Sequence, residues 1–414
     1  MEDKINASIE DNSLSTEYTL RPIVYTSWLF GVGVARPRKY SKALTIFIRI
    51  IHLILCSINV AYGANIFIYD STMYSIDSYV FKFLYSMNRV MCWVSAYYYV
   101  CHGIWQYDKW PELMDKIKEL DQKIRKEIFM NNRPRVLIIV EALAILITFV
   151  CCPLSLIAHA LYYYFVYPEI LFTTDLLFYY ILAQSLINSF VFDVIVYMLY
   201  YRFQKINKLI SQLNELFDAQ TIALKIRRIR ELHNGTCDLI DMVNDVYGLP
   251  LLLCWGSSFT MIVTTQFRIY AAIMENNYRF IMVHNFWWIL YTMQFSLICW
   301  ICTLAREESE RTGIIIYSFL LNRNNLDGDY VRNEVNDFST QLQQHRVVFT
   351  ACNFFEINNE LFSGFVGIIV TYLVIFIQFY KPKSVPDANV MKSVAFLPKW
   401  CNDSMAQYND SISN

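Results

Sequence analysis

Charge is scarce in this chain: 17% of its 414 residues are Asp, Glu, Lys or Arg, against about a quarter in ordinary soluble domains. What charge there is nearly cancels, with 35 Lys and Arg against 36 Asp and Glu, so no global field recruits nucleic acid. Glycine and proline are equally sparse, at 11 and 10, which rules out a collagen-like chain or a loop-rich secreted scaffold. Eleven cysteines form an odd number. Most of them, including Cys56, Cys92, Cys101, Cys151, Cys152, Cys254, Cys299 and Cys302, stand inside apolar runs and read as small buried hydrophobes, not as a disulfide framework. Cys299 and Cys302 have C-x-x-C spacing but no second such pair, so no zinc site is expected. The six histidines are scattered and no H-E-x-x-H occurs, so neither a metal, a cofactor nor an enzymatic centre is expected.

What fills the space is hydrocarbon: 56% of residues are apolar and 16% aromatic. Seven stretches are long enough for a bilayer core that needs about 20 helical residues. They run 43–69, 79–105, 136–166, 171–201, 247–274, 281–305 and 361–380. The first 42 residues are polar and lack the pattern of a cleaved signal, so the first span is expected to serve for insertion. The flank before span one and the second, fourth and sixth connections carry 4, 8, 7 and 5 basic residues, whereas the first and third carry none and the fifth only Arg279. The tail after span seven adds Lys381, Lys383, Lys392 and Lys399. Because Lys and Arg resist translocation, the N-terminus is expected in the cytoplasm and the C-terminus outside.

The fold class expected is an all-α membrane protein with seven transmembrane helices and cytoplasmic helical extensions that bundle as an anchor. Residues 1–42 would be a cytoplasmic tail, 43–380 the membrane domain with cytoplasmic loops 106–135, 202–246 and 306–352, and 381–414 an extracellular tail. The loops carry helical stripes: Leu113, Ile117, Leu120, Ile124 and Ile128; Phe203, Ile206, Ile210, Leu213 and Phe217; and Val335, Phe338, Leu342 and Val348 on a shorter helix. The orientation inverts that of a G-protein-coupled receptor, and neither Asp-Arg-Tyr after span three nor Asn-Pro-x-x-Tyr in span seven is present.

The last span has two faces at about 100° per residue. Gly364, Gly367, Thr371, Ile375 and Gln378 form a small, polar stripe; Phe362, Val366, Ile369, Leu373, Phe376 and Tyr380 form a bulky opposite one. The run Thr371-Tyr372, five apolar residues, Gln378-Phe379 resembles the signature that closes the last helix of insect gustatory receptors. Arg202-Phe203 with Ile206-Asn207, Leu304-Ala305-Arg306-Glu307 and Phe349-Thr350-Ala351-Cys352 resemble that family's helix exits more loosely, and Asn353 stands where a glycine is expected. The resemblance implies a homo- or hetero-tetramer with other gustatory receptors, in the plasma membrane of sensory neurons. It implies a ligand-gated, non-selective cation channel that requires no G protein. Carried over, Gln378 and Phe379 would form the pore constriction, with Thr371 and Ile375 along its wall. A phenylalanine ring closes a narrow pore by dewetting.

A small-molecule tastant needs an aromatic pocket with a few convergent polar groups. Candidates on the outer halves of the spans are Arg89, His159, Asp175, Tyr179, Arg268, His284, Trp287, Trp288, Tyr291 and Gln294, with Tyr85, Thr264 and Thr265 nearby in sequence register. Asp193, Glu141 and Arg49 read as a second, deeper charge cluster. Sequons at Asn402 and Asn409 fall in the outer tail. The alternative reading is a multi-pass secondary transporter, which calls for internal repeats and broken helices that the chain does not display.

Overall fold

The computed structural model describes residues 16–69, 79–127, 176–274, 278–322 and 329–378, with isolated positions between 142 and 161. Helix α1 covers Thr16–Leu29, α2 Lys42–Tyr69 and α3 Tyr79–Trp105; the last two coincide with the first two predicted spans. The third predicted span is described only at scattered positions. There Leu146, Val150, Leu154, Ile157 and Leu161 recur at steps of three and four and are all exposed, as a lipid-facing stripe requires. Helix α4 covers Lys109–Glu127, α5 Leu176–Gln212, α6 Ala219–Met274 and α7 Tyr278–Asn322. The chain continues through α8 (Asp329–Gln344), a hairpin of β1 (Thr350–Ala351) and β2 (Phe355–Glu356), and α9 (Asn359–Gln378).

Spans four, five and six do not stop at the membrane boundary. At 1.5 Å per residue the 56 residues of α6 extend roughly 80 Å, well over twice a hydrocarbon core. The amphipathic stripes thus continue the spans into one polar-surfaced bundle, as their spacing requires. Leu113, Ile117, Leu120 and Ile124 of α4 are buried there, with Phe203, Ile206 and Ile210 of α5, Leu213 in the turn that follows, and Val335 and Phe338 of α8. Two stripe members depart from expectation. The helix gives way to a 3-10 turn at Leu213–Glu215 and extended backbone at Leu216, so Phe217 leaves the face and is 93% exposed. Val348 lies beyond the end of α8, in the strap that leads to the hairpin.

Polar nodes lock this bundle. Arg202 donates from Nε and Nη2 to the two carboxylate oxygens of Asp121, both at 2.9 Å, a bidentate pair with fixed geometry. Asn207 donates to the backbone and carboxylate oxygens of Glu308 at 2.9 and 2.8 Å and accepts from Thr312 Oγ1 at 2.7 Å. The Arg202–Asn207 motif is therefore a pair of interhelical fasteners.

Helix α5 is the axis of the fold, packed against α1, α3, α6 and α7. Nothing in the periodicity announced α1, whose Leu20, Ile23 and Val24 are buried, nor the buried segment 32–37 that follows it. That segment crosses α3 so closely that a Cβ on Gly103 would clash with the Gly33 oxygen. Gly33 itself has φ +63°, open to a residue without Cβ.

Candidate functional site

Helix α9 is fastened to its own chain along one face only. Phe365 is 1% and Ile369 9% exposed, flanked by half-buried Leu361, Phe362, Leu373 and Phe376. Phe365 sits in an aromatic cluster with Phe295 (centroids 4.4 Å apart), Trp255 (5.6 Å) and Phe259 (6.1 Å), the first two rings tilted against it and the third edge-on. Phe365, which the two-stripe reading omitted, is thus the centre of the packing face, and Val366, assigned to that face, is 40% exposed. The helical advance explains the shift: the buried set centres between Phe365 and Ile369, turned away from Val366.

The opposite stripe meets none of the other described residues of its own subunit. Gly364, Gly367, Thr371, Ile375 and Gln378 are all exposed, and a Cβ built on either glycine would find no atom within 4 Å. The Thr371 hydroxyl donates back to the Gly367 oxygen at 2.9 Å, so it stays within its helix. Phe379 lies outside the described residues, as do Asn402 and Asn409.

The pocket candidates divide into two groups. Gln294 of α7 is buried and donates from Nε2 to Asp193 Oδ2 of α5 at 2.6 Å; Tyr291, one turn away, is 2% exposed and Trp288 half-buried. Asp193 Oδ1 has no hydrogen-bond partner among the described residues. Arg89 of α3 is buried elsewhere: it pairs with the Tyr85 hydroxyl, its guanidinium lies 4.9 Å from that ring, and a Cβ on Gly63 of α2 would come 2.9 Å from it. Arg89 therefore faces α2 while Gln294 faces α5. Arg268 is half-buried on α6. Tyr179, His284 and Trp287 stand on α5 and α7, but their side chains are outside the described residues, as are His159 and Asp175. Thr264 and Thr265 donate to the backbone oxygens of Leu84 and Met261 at 3.3 and 2.7 Å, which makes them packing groups.

The deeper charge cluster does not form as the sequence suggested. Arg49 bonds the backbone oxygens of Gly103 and Gly33, the latter at 2.8 Å, while Asp193 takes Gln294; Glu141 is outside the described residues. Counting from the outer ends of spans four and six places Asp193 deeper than Gln294, so the pair follows from how α5 and α7 pack and not from spacing.

Beyond the spans, His233 is 1% exposed in the polar bundle, between the rings of Phe203 (5.2 Å) and Phe338 (5.7 Å) and 3.2 Å from Ser309 Oγ. Burial, with His345 nearby, lowers its pKa to about 4. The hairpin before α9 holds Cys352 and Asn353 at φ 51° and 59°, with Phe354 N–H donating to Ala351 O at 3.0 Å. Asn353 thus stands where glycine was expected because asparagine is the next residue to tolerate a left-handed backbone. Among the described residues one grouping of metal-type donors occurs, Asp238, Asp241 and His345, all exposed with donor atoms within 4.8 Å. The described cysteines are free thiols, and Cys56, Cys92, Cys254, Cys299 and Cys302 are buried as expected of small hydrophobes.

A family model described as 7tm Chemosensory receptor matches residues 20–381. The Drosophila melanogaster gustatory receptor 23a is 27% identical over 160 residues, covering 38% of this chain and 42% of that protein. The Drosophila gustatory receptor for bitter taste 66a is 24% identical over 173 residues, covering 40% and 32%. Such alignments span between 32% and 45% of the relatives' own length. Among solved structures, the insect olfactory receptor OR5 from Machilis hrabei in complex with eugenol superposes with a TM-score of 0.58 at 13% identity, covering 87% of this chain and 98% of that one. That likeness gives the fold, a bundle of seven membrane-spanning helices. The chain belongs to the 7tm chemosensory receptor family.

Proposed function

We propose that this chain is a gustatory receptor that is itself a ligand-gated, non-selective cation channel. Four copies, of this chain alone or with related receptors, gather the Gly364–Gly367–Thr371–Ile375–Gln378 stripe around a shared aqueous path. The observation that carries the reading is that this stripe faces away from every other described helix of its own subunit. A hydrophilic face on a membrane helix must meet protein or water, and here the described residues of its own chain supply no protein. Phe379 and Gln378 would form the constriction, the first as a dewetting gate and the second as an uncharged polar ring. The polar bundle is cytoplasmic in this reading and the C-terminal tail, with Asn402 and Asn409, extracellular.

The tastant enters from the outer halves of the spans. Trp288, Tyr291 and Gln294 on α7 form the better-defined part of the candidate pocket, since Tyr291 and Gln294 are buried and Gln294 bonds Asp193 of α5. Arg89, Arg268, Tyr179, His159, Asp175, His284 and Trp287 complete the candidate set. The receptor belongs in the plasma membrane of sensory neurons and needs no G protein to conduct. Expression of the chain alone in cells lacking an added G protein, with sugars and plant alkaloids applied under voltage clamp, tests this. Stimulus-evoked currents support it. Accumulation of a solute with no conductance would instead favour a secondary transporter.

A further inference from the structure

The strap from Val347 to Asn358 is the covalent link between the polar bundle and α9, and it is fastened from two sides. On one side, the single amide of Asn244 on α6 donates from Nδ2 to Val348 O at 2.8 Å and accepts from Thr350 N–H on Oδ1 at 3.2 Å. Those two backbone groups flank Phe349 and are the pair that one residue of a neighbouring parallel strand would engage. Asn244 therefore substitutes for a strand, and it holds the main chain whatever side chains the strap carries. One turn further along α6, the backbone of Cys352 comes so near Gly248 that a Cβ there would lie 3.1 Å from Cys352 N. On the other side, Thr303 Oγ1 of α7 accepts the Asn359 N–H at 3.0 Å, at the first residue of α9. Arg306 reaches Glu356 at 3.4 Å, across exposed surface where an ion pair is worth little. Phe349, between the two bonds of Asn244, is 2% exposed and meets Phe192 of α5 edge-on at 6.3 Å.

We propose that Asn244 is the pin through which rearrangements of α6 and α7 inside the membrane reach α9. It is a positioning residue for gating, and the assignment rests on the channel reading above. The helices that carry Arg268, Trp288, Tyr291 and Gln294 are the same two that hold the root of α9. A shift of either is thus delivered to the exposed stripe as long as the strap moves with α6. Coupling of this kind is carried by connected elements with a defined geometry, and the Asn244 amide is where a side chain of α6 holds the strap backbone on both sides of Phe349.

The test uses the full chain carrying Thr371→Cys in cells and follows modification by a positively charged methanethiosulfonate reagent, with the unsubstituted chain as the background control. Gln294→Ala, which breaks the α7–α5 contact, is expected to shift the modification rate about fivefold or more. With Asn244→Asp, which keeps shape and acceptor but loses the Nδ2 donor, that shift is expected to fall below about twofold. Asn244→Gln, which retains both groups on a longer arm, restores part of it, an effect that lost stability alone does not produce. A shift undiminished by Asn244→Asp, or no shift from Gln294→Ala in the parent, overturns the proposal. If Asn244→Asp fails to reach the surface, Gly248→Ala presses on the same strap and must reduce the shift in its place. The reagent reports exposure of α9 whether or not ions pass. An intact shift in a chain that never conducts would sink the channel reading alone.

Discussion

Helices α5 and α9 are both long and apolar enough to cross a bilayer, yet the membrane-length window of α5 is wholly buried and that of α9 is 11% buried. The less buried helix is the more apolar of the two. Hydropathy thus identifies membrane residence but says nothing about which neighbour a face has. In α5 the polar residues are consumed internally: Gln184 donates to Phe30 O at 3.0 Å, Asp193 accepts from Gln294, and Arg202 pairs with Asp121. In α9 the stripe from Gly364 to Gln378 touches no other described helix of the subunit. The one is the scaffold, and the other is the part that the proposed assembly would use.

That contrast predicts opposite costs for substitution. The largest effect belongs to α5, where Arg202→Ala strands a buried Asp121 carboxylate; a loss of about 3–5 kcal/mol is expected. Thermal unfolding of the detergent-solubilised receptor, or loss of surface protein, measures it. Acid comes next, acting on the bundle that extends α5. With a folded pKa of about 4 against an ordinary value near 6.5, His233 is neutral when folded and protonates more readily when unfolded. Its stability contribution is complete above pH 6.5 and is lost as pH falls toward 4, to the extent of about 3 kcal/mol. His233→Leu should flatten the dependence of unfolding temperature on pH across that window, and an unchanged slope would remove His233 from the account.

The hairpin that leads into α9 sits between these extremes. Asn353→Val places a β-branched residue at φ 59° and is expected to cost about 1–2 kcal/mol. Asn353→Gly should be neutral or slightly stabilising in the same unfolding assay. Smallest in stability, within about 0.5 kcal/mol, are Thr371→Val and Ile375→Ala on the exposed stripe. They should leave surface levels unchanged while altering conductance, whereas Phe365→Ala, on the packed face of the same helix, should do the reverse. If both faces of α9 responded alike, the comparison with α5 would lose its meaning.

Much of this was legible in the residues. The ends of α2 and α3 follow from where apolar runs meet charge, and the continuations of α5, α6 and α7 follow from stripes such as Phe203–Ile206–Ile210. Periods of three and four report local geometry, which one-dimensional spacing captures. Other features depend on contacts between distant segments and left no local trace. Phe365 was invisible as the centre of the packed face because its partners Trp255, Phe259 and Phe295 come from two other helices. Arg49 satisfies itself on backbone oxygens, which no count of carboxylates could suggest. The motif residues Arg202 and Asn207 were recognisable as a pattern, and only the fold shows them to be interhelical fasteners.

The central claim concerns the free flank of α9, and the reversal potential of Gln378→Glu tests it most directly. Replacing Gln378 by Glu in every subunit should place a ring of carboxylates on the conduction path and shift the reversal potential toward that of calcium under bi-ionic calcium–sodium conditions. A variant that reaches the surface, carries current and reverses at the same voltage as its parent would contradict the account.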